Sequence, residues 1–161
     1  MIQTISNKPS AFMTQKIRAY LVALALFPIL AWAQATPTGL WKTIDDETGE
    51  AKSLVRITEL AGTLTGKVEK SLVTDPNGNP LCTLCTDDRK GQTIVGMAII
   101  RDVTKHKTTE GLWDGGEILD PQNGKTYHVM LTPAAGGTEL QVRGYIGLPL
   151  LGRTQTWIRA E

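Results

Sequence analysis

Glycine spacing and short apolar–polar alternation constrain this chain more than anything else in it. All 16 glycines lie after residue 35, and no segment beyond that point keeps an apolar period of 3.6 over the dozen residues that a stable helix requires. Short runs of period two recur instead, rich in Thr and Val and suited to strands and tight turns. They fall at Thr38 to Asp45, Lys52 to Glu59, Thr63 to Leu72, Gln92 to Val103, Glu110 to Leu119, Lys125 to Thr132, Thr138 to Ile146 and Arg153 to Arg159. Asp46-Glu47-Thr48-Gly49, Gly62, Pro121-Gln122-Asn123-Gly124, Pro133 to Gly137 and Leu148 to Gly152 separate them as turns. About eight strands joined mostly by hairpins predict an all-β domain that buries its edges by closing into an up-and-down barrel, with a two-sheet sandwich as the alternative.

Residues 1–35 read as a signal peptide, with Met13 a second candidate start. Lys16 and Arg18 precede an apolar run from Ala19 to Ala31, and Ala31-Trp32-Ala33 and Ala33-Gln34-Ala35 are small-x-small cleavage patterns. The run carries Pro28 and falls short of the roughly 18 to 20 apolar residues that cross a bilayer. Residues 36–161 then form one barrel domain, periplasmic or secreted, with no integral membrane segment. No cysteine stands at the cleavage site to carry a lipid anchor. The leader holds Lys8, Lys16 and Arg18 and no acid, so the mature part keeps 14 basic against 16 acidic residues. A nearly neutral, slightly acidic chain without a basic block has no electrostatic reason to bind nucleic acid or an anionic membrane surface.

Both phenylalanines, Phe12 and Phe27, lie within residues 1–35, so Trp41, Trp113, Trp157, Tyr127 and Tyr145 supply the bulky packing of the domain. Gly39-Leu40-Trp41 opens the first strand and places an indole where a barrel closes its base. Arg153 or Arg159 of the last strand is positioned to stack on it, a cation–π contact worth roughly 0.5 to 2 kcal/mol. Lipocalin-like barrels close in this way, and the chain resembles them in outline.

In the seventh strand Leu140, Val142, Gly144 and Ile146 share one face, and Gln141, Arg143 and Tyr145 the other. In the eighth, Arg153, Gln155, Trp157 and Arg159 share a face. If both mixed faces turn inward, the lumen presents aromatic walls with guanidinium and amide donors, as a site for an amphipathic anion would. A slip of one residue turns them outward. The candidate ligand-binding residues are Trp41, Trp113, Tyr127, Arg143, Tyr145, Arg153, Gln155 and Trp157.

Val73 to Gly91 breaks the strand spacing and is expected to be a solvated connection. It contains Cys82 and Cys85, the only cysteines, which in an exported protein form a disulfide by default. So small a loop stabilises by about 2 kcal/mol at most. Redox catalysis is the sharper reading of Cys82-x-x-Cys85, but no βαβ context supports it and Asp87 and Asp88 would disfavour a thiolate. A zinc site with His106 or His128 would need ligands from distant segments. Asp120-Pro121-Gln122-Asn123-Gly124 offers oxygens to a cation, yet a tight Asn-Gly turn accounts for it. There is no Gly-x-Ser-x-Gly elbow, P-loop or dinucleotide fingerprint, so no catalytic residue, metal or cofactor is expected.

The segments Gly111 to Ile118, Asp120 to Tyr127, Val142 to Gly147 and Leu151 to Trp157, together with Cys82-x-x-Cys85 and Gly96, resemble a bacterial family, domain of unknown function 2147. The likeness runs over the whole mature chain. It implies an exported lipocalin-like barrel without an established activity and brings no catalytic residues. The expected function is therefore binding of a small hydrophobic or amphipathic molecule in the barrel. The alternative is an envelope module that acts through its surface and the Cys82–Cys85 loop.

Overall fold

Each alternating run becomes a strand, and the strands close on themselves. The computed structural model describes residues 35–74 and 78–161; residues 1–34 of the expected leader, and Asp75-Pro76-Asn77 of the long loop, lie outside them. Strands β1 (Gly39–Ile44), β2 (Ala51–Leu60), β3 (Thr63–Ser71), β4 (Ala98–Lys105), β5 (Trp113–Asp120), β6 (Lys125–Ala134), β7 (Glu139–Tyr145) and β8 (Arg153–Arg159) pair antiparallel in chain order. β8 returns to β1 through Trp41↔Arg159 and Lys42↔Ile158, so the sheet is a closed barrel and not a sandwich.

Two of the expected strands start later than the alternation implies. β4 begins at Ala98 and not at Gln92, because the backbone of residues 92–95 is bonded within the preceding loop and only Gly96 and Met97 reach Val68 of β3. The Ile94 amide donates to the Pro80 carbonyl and the Met97 amide to that of Ile94. β5 begins at Trp113 and not at Glu110, since the Leu112 amide closes a turn on the Thr109 carbonyl.

One end of the barrel is packed shut. Trp41, Ile57, Leu64, Val103, Trp113, Leu131 and Leu140 are buried there, each contributing roughly 1.5–3 kcal/mol by leaving water. The Trp41 indole Nε1–H donates to the Pro37 carbonyl at 2.7 Å. Of the two candidate arginines, Arg159 covers the ring, its guanidinium carbon 4.1 Å from the ring centre. That guanidinium also ties the segment entering β1 and the β6–β7 turn to β8, donating to the carbonyls of Thr38 at 2.9 Å, Thr36 at 3.0 Å and Gly137.

The long loop between β3 and β4 is not merely a solvated connection: most of its described residues are exposed, but a few buried side chains dock it. It lies on the outer wall at the opposite end, where Cys82 and Cys85 are disulfide-bonded and buried. Gly124, with a φ of 71°, belongs to the β5–β6 turn beneath it; a Cβ there would collide with the Leu84 carbonyl. Arg89 is wholly buried under the loop. It bonds Asp87 of its own loop, Glu117 of β5 at 3.2 Å, Thr126 Oγ1 of β6 at 3.1 Å and the Ala98 carbonyl at 3.3 Å. Asp88 clasps the wall a second time through a bidentate pair with Arg101 of β4, at 2.8 and 2.9 Å.

Candidate functional site

The end opposite Trp41 is open. Here the inward side chains shorten, to Thr43 and Ser53 and then Gly144, and they leave a cavity of about 510 Å³. That lies within the usual range for small-molecule sites, roughly 300–1,000 Å³. Its depth is apolar, walled by Val68, Ile99, Ile118, Val142, Tyr127 and Trp157. Val73, Pro80 and Ile94 of the docked loop form part of the entrance, so the disulfide-pinned segment shapes the mouth.

Polar groups gather at the rim. Arg153 donates to Asp46 Oδ1 at 2.6 Å and to Glu47 at 3.2 Å. Lys52 lies 3.7 Å from both Asp45 and Glu50. The Arg153 hydrogen bond holds the Asp46 carboxyl below its ordinary range, and the Thr48 amide does the same for Asp45. Both rim cations therefore already face carboxylates. Deeper in, Trp157 Nε1–H donates to Gln155 Oε1 at 3.3 Å, and the Tyr127 hydroxyl accepts from Asn123 at 3.1 Å.

The structure divides the residues nominated from sequence. Tyr127, Arg153, Gln155 and Trp157 line the cavity. Trp41 and Trp113 sit in the packed floor, outside its lining. Arg143 and Tyr145 face the other way. Val142 pairs with Gln155 and Gly144 with Arg153, so β7 turns its Leu140–Val142–Gly144 face inward and its Arg143–Tyr145 face outward. Arg143 is engaged outside by Thr154 Oγ1 and the carbonyls of Pro149 and Leu150, and Tyr145 packs on His128 with ring centres 5.4 Å apart. The expected lumen of two mixed faces is thus one mixed face, β8, beside an apolar one. Sequence reasoning passed over Val68, Ile99, Ile118 and Val142, whose only signal is alternation and which need the register to be placed.

His106 accepts from the Thr109 amide at 3.0 Å, and among the described residues no cluster of His, Cys, Asp or Glu is arranged to hold a metal ion.

The Arg89 contact makes the loop acid-sensitive. Hydrogen bonding from Arg89 lowers the Asp87 carboxyl to about 2. A carboxyl depressed on folding stabilises fully above its unfolded value, about 3.9, and that contribution fades as pH falls through the folded value. The loop should hold at pH 5 and loosen between pH ~4 and ~2. Hydrogen exchange of the 78–97 amides across that window measures this. Asp87→Asn is expected to exchange faster at pH 5 and to lose part of the pH dependence, the Asp88–Arg101 pair keeping the rest; unchanged protection down to pH ~2 would contradict it.

A closed eight-stranded antiparallel barrel, shut at one end by a tryptophan beneath an arginine and open at the other onto a cavity, is a lipocalin-like protein. The chain belongs to the family described as an uncharacterized protein conserved in bacteria, DUF2147, whose family model matches residues 39–159. Among solved structures it is similar to protein HP1028 from the human pathogen Helicobacter pylori, described as belonging to the lipocalin family. The two share 20% identity over 79% of this chain and 84% of the other, with a TM-score of 0.66, a likeness of fold. No curated protein matches.

Proposed function

We propose that this protein binds a small amphipathic molecule in the mouth of its barrel, without turning it over. The observation that carries the reading is the cavity of about 510 Å³, apolar in its depth and polar at its rim. Such a gradient suits a molecule with an apolar tail and a polar head. The head is uncharged. An anionic head would have to displace Asp46 from Arg153 or Asp45 from Lys52, and it would meet the remaining acids of the rim. The anion-binding expectation rested on two arginines in the lumen; one of them faces outward.

The same reading places the protein outside the cytoplasm, supported by the leader-like pattern of residues 1–35 and by the Cys82–Cys85 disulfide. Burial of both sulfurs argues for a clip and against thiol exchange, which needs access for an attacking thiolate.

Tryptophan emission tests the proposal, because Trp157 lines the cavity while Trp41 and Trp113 do not. Titration with a monoacylglycerol should shift the emission saturably, and Trp157→Phe should abolish the shift while leaving affinity measurable by calorimetry. A fatty acid of the same chain length is expected to bind about tenfold more weakly at neutral pH, or ~1.4 kcal/mol. No saturable response to either amphiphile would reject the reading.

A further inference from the structure

We infer that Tyr127 is the residue by which the barrel selects an acyl ligand, its hydroxyl donating a hydrogen bond to the carbonyl oxygen that joins an apolar tail to a polar head. The inference rests on ligand binding in the cavity and names the class of ligand, a fatty acyl ester or amide.

The β5–β6 turn fixes the polarity of that hydroxyl. Asn123 Oδ1 accepts from the Lys125 amide at 2.8 Å and Asn123 Nδ2 donates to Asp120 Oδ2 at 2.8 Å, so the two ends of this side-chain amide cannot be exchanged. The same Nδ2 reaches the Tyr127 hydroxyl at 3.1 Å, and an amide nitrogen can only donate. Tyr127 therefore accepts there, and its own proton points elsewhere. Among the described residues no acceptor takes that proton. The ring lies along β7 where Gly144 has no side chain: a Cβ at Gly144 would stand 3.6 Å from Tyr127 Cβ and 3.8 Å from its Cγ. Tyr127 lines the cavity, so its O–H is a donor open to the occupant.

Place and polarity together identify the group it meets. The Tyr127 ring belongs to the apolar wall, while Asn123, which holds the hydroxyl, belongs to a turn at the rim. The hydroxyl thus stands at the boundary where an amphiphile with its tail in the depth and its head at the rim carries its linkage. Gln155 shows the same polarity across the mouth. Its Oε1 accepts from the Trp157 indole and its Nε2 is turned to Asp46, with one N–H to spare. The oxygens of Asp46 and Asp120 already accept from Arg153, Gln122 and Asn123. At Tyr127 and Gln155 the capacity left over is that of donors, and donors recognise an acceptor. A carbonyl oxygen is a strong acceptor without charge, whereas a carboxylate would meet the acids of the rim.

The test compares two uncharged amphiphiles of equal chain length with the same glycerol head, a monoacylglycerol and an alkylglycerol ether, which differ at the carbonyl. Calorimetric titration should show the ester bound about fivefold or more tighter, the worth of one neutral hydrogen bond. Tyr127→Phe should remove that preference by weakening the ester alone, since the ring and its contact with β7 are kept. Infrared spectra of an ester isotopically labelled at its carbonyl carbon should place the bound carbonyl band at lower wavenumber in the parent protein than in Tyr127→Phe. Equal affinity of the parent for ester and ether would overturn the inference and leave binding in the cavity standing. A Tyr127→Phe variant that keeps the preference would overturn it too, as would one that weakens both ligands alike, a loss of packing and not of a donor. No binding of either amphiphile would reject the cavity reading and the inference with it.

Discussion

Trp41→Ala is expected to cost about 3–5 kcal/mol of stability, a third or more of what a domain of this size usually has. The ring is fully buried, so its removal leaves a cavity in the only packed end of the barrel. More than volume is lost. The Arg159 guanidinium loses the ring face 4.1 Å beneath it, and the Pro37 carbonyl loses its donor. Arg159 also carries the bonds that fasten residues 36–38 and the β6–β7 turn to the end of β8. Loss of the ring therefore loosens the seam where β8 meets β1, which has only two register pairs, Trp41↔Arg159 and Lys42↔Ile158. Trp41→Phe keeps a ring under the cation and gives up mainly the Nε1–H bond, for an expected cost of about 1–2 kcal/mol. Equilibrium urea unfolding measures both. An alanine variant within 1 kcal/mol of the parent, on the scale of a lost surface contact, would show that the floor does not carry the barrel.

The sequence made strand number and closure legible because most strand boundaries have a chemical marker. Asn123-Gly124 turns β5 into β6, and β8 runs over Arg153–Arg159 as its alternation predicts. Three misreadings share a cause. Thr93, Ile94 and Val95 look like strand residues by side chain, yet their partners lie in the same loop, a choice made by tertiary contact. Asp87-Asp88-Arg89-Lys90 looks like a solvated charge run, and nothing local tells that Arg89 is enclosed by Glu117 and Thr126, both distant in sequence. Arg143 and Tyr145 share a face by alternation, but which face looks inward depends on pairing with β8. Half of the nominated site survives because β8 has its mixed face inward; the rest of the lining is ordinary aliphatic surface that only a closed cylinder turns into a wall.

That register sets up the sharpest functional test, because adjacent residues of β7 point to opposite sides of the wall. Gly144→Phe should abolish ligand binding, with an affinity loss of about a hundredfold or more, while the barrel stays folded. A Cβ at Gly144 would lie 3.6 Å from Tyr127 Cβ and 3.8 Å from Ile118 Cγ2, ordinary contacts, so the backbone accepts a side chain there. The ring then has only the cavity to enter, since Gly144 lines it. Filling empty space also adds buried apolar area, so the thermal midpoint should hold or rise. Tyr145→Ala, one residue on, removes a ring that packs outside on His128 and should leave affinity unchanged. A surface-acting protein would show the reverse: Gly144→Phe would keep every function and Tyr145→Ala could lose some. Calorimetric titration of both variants with a monoacylglycerol separates the cases, and a plugged barrel that still binds with native affinity would place the ligand outside the lumen.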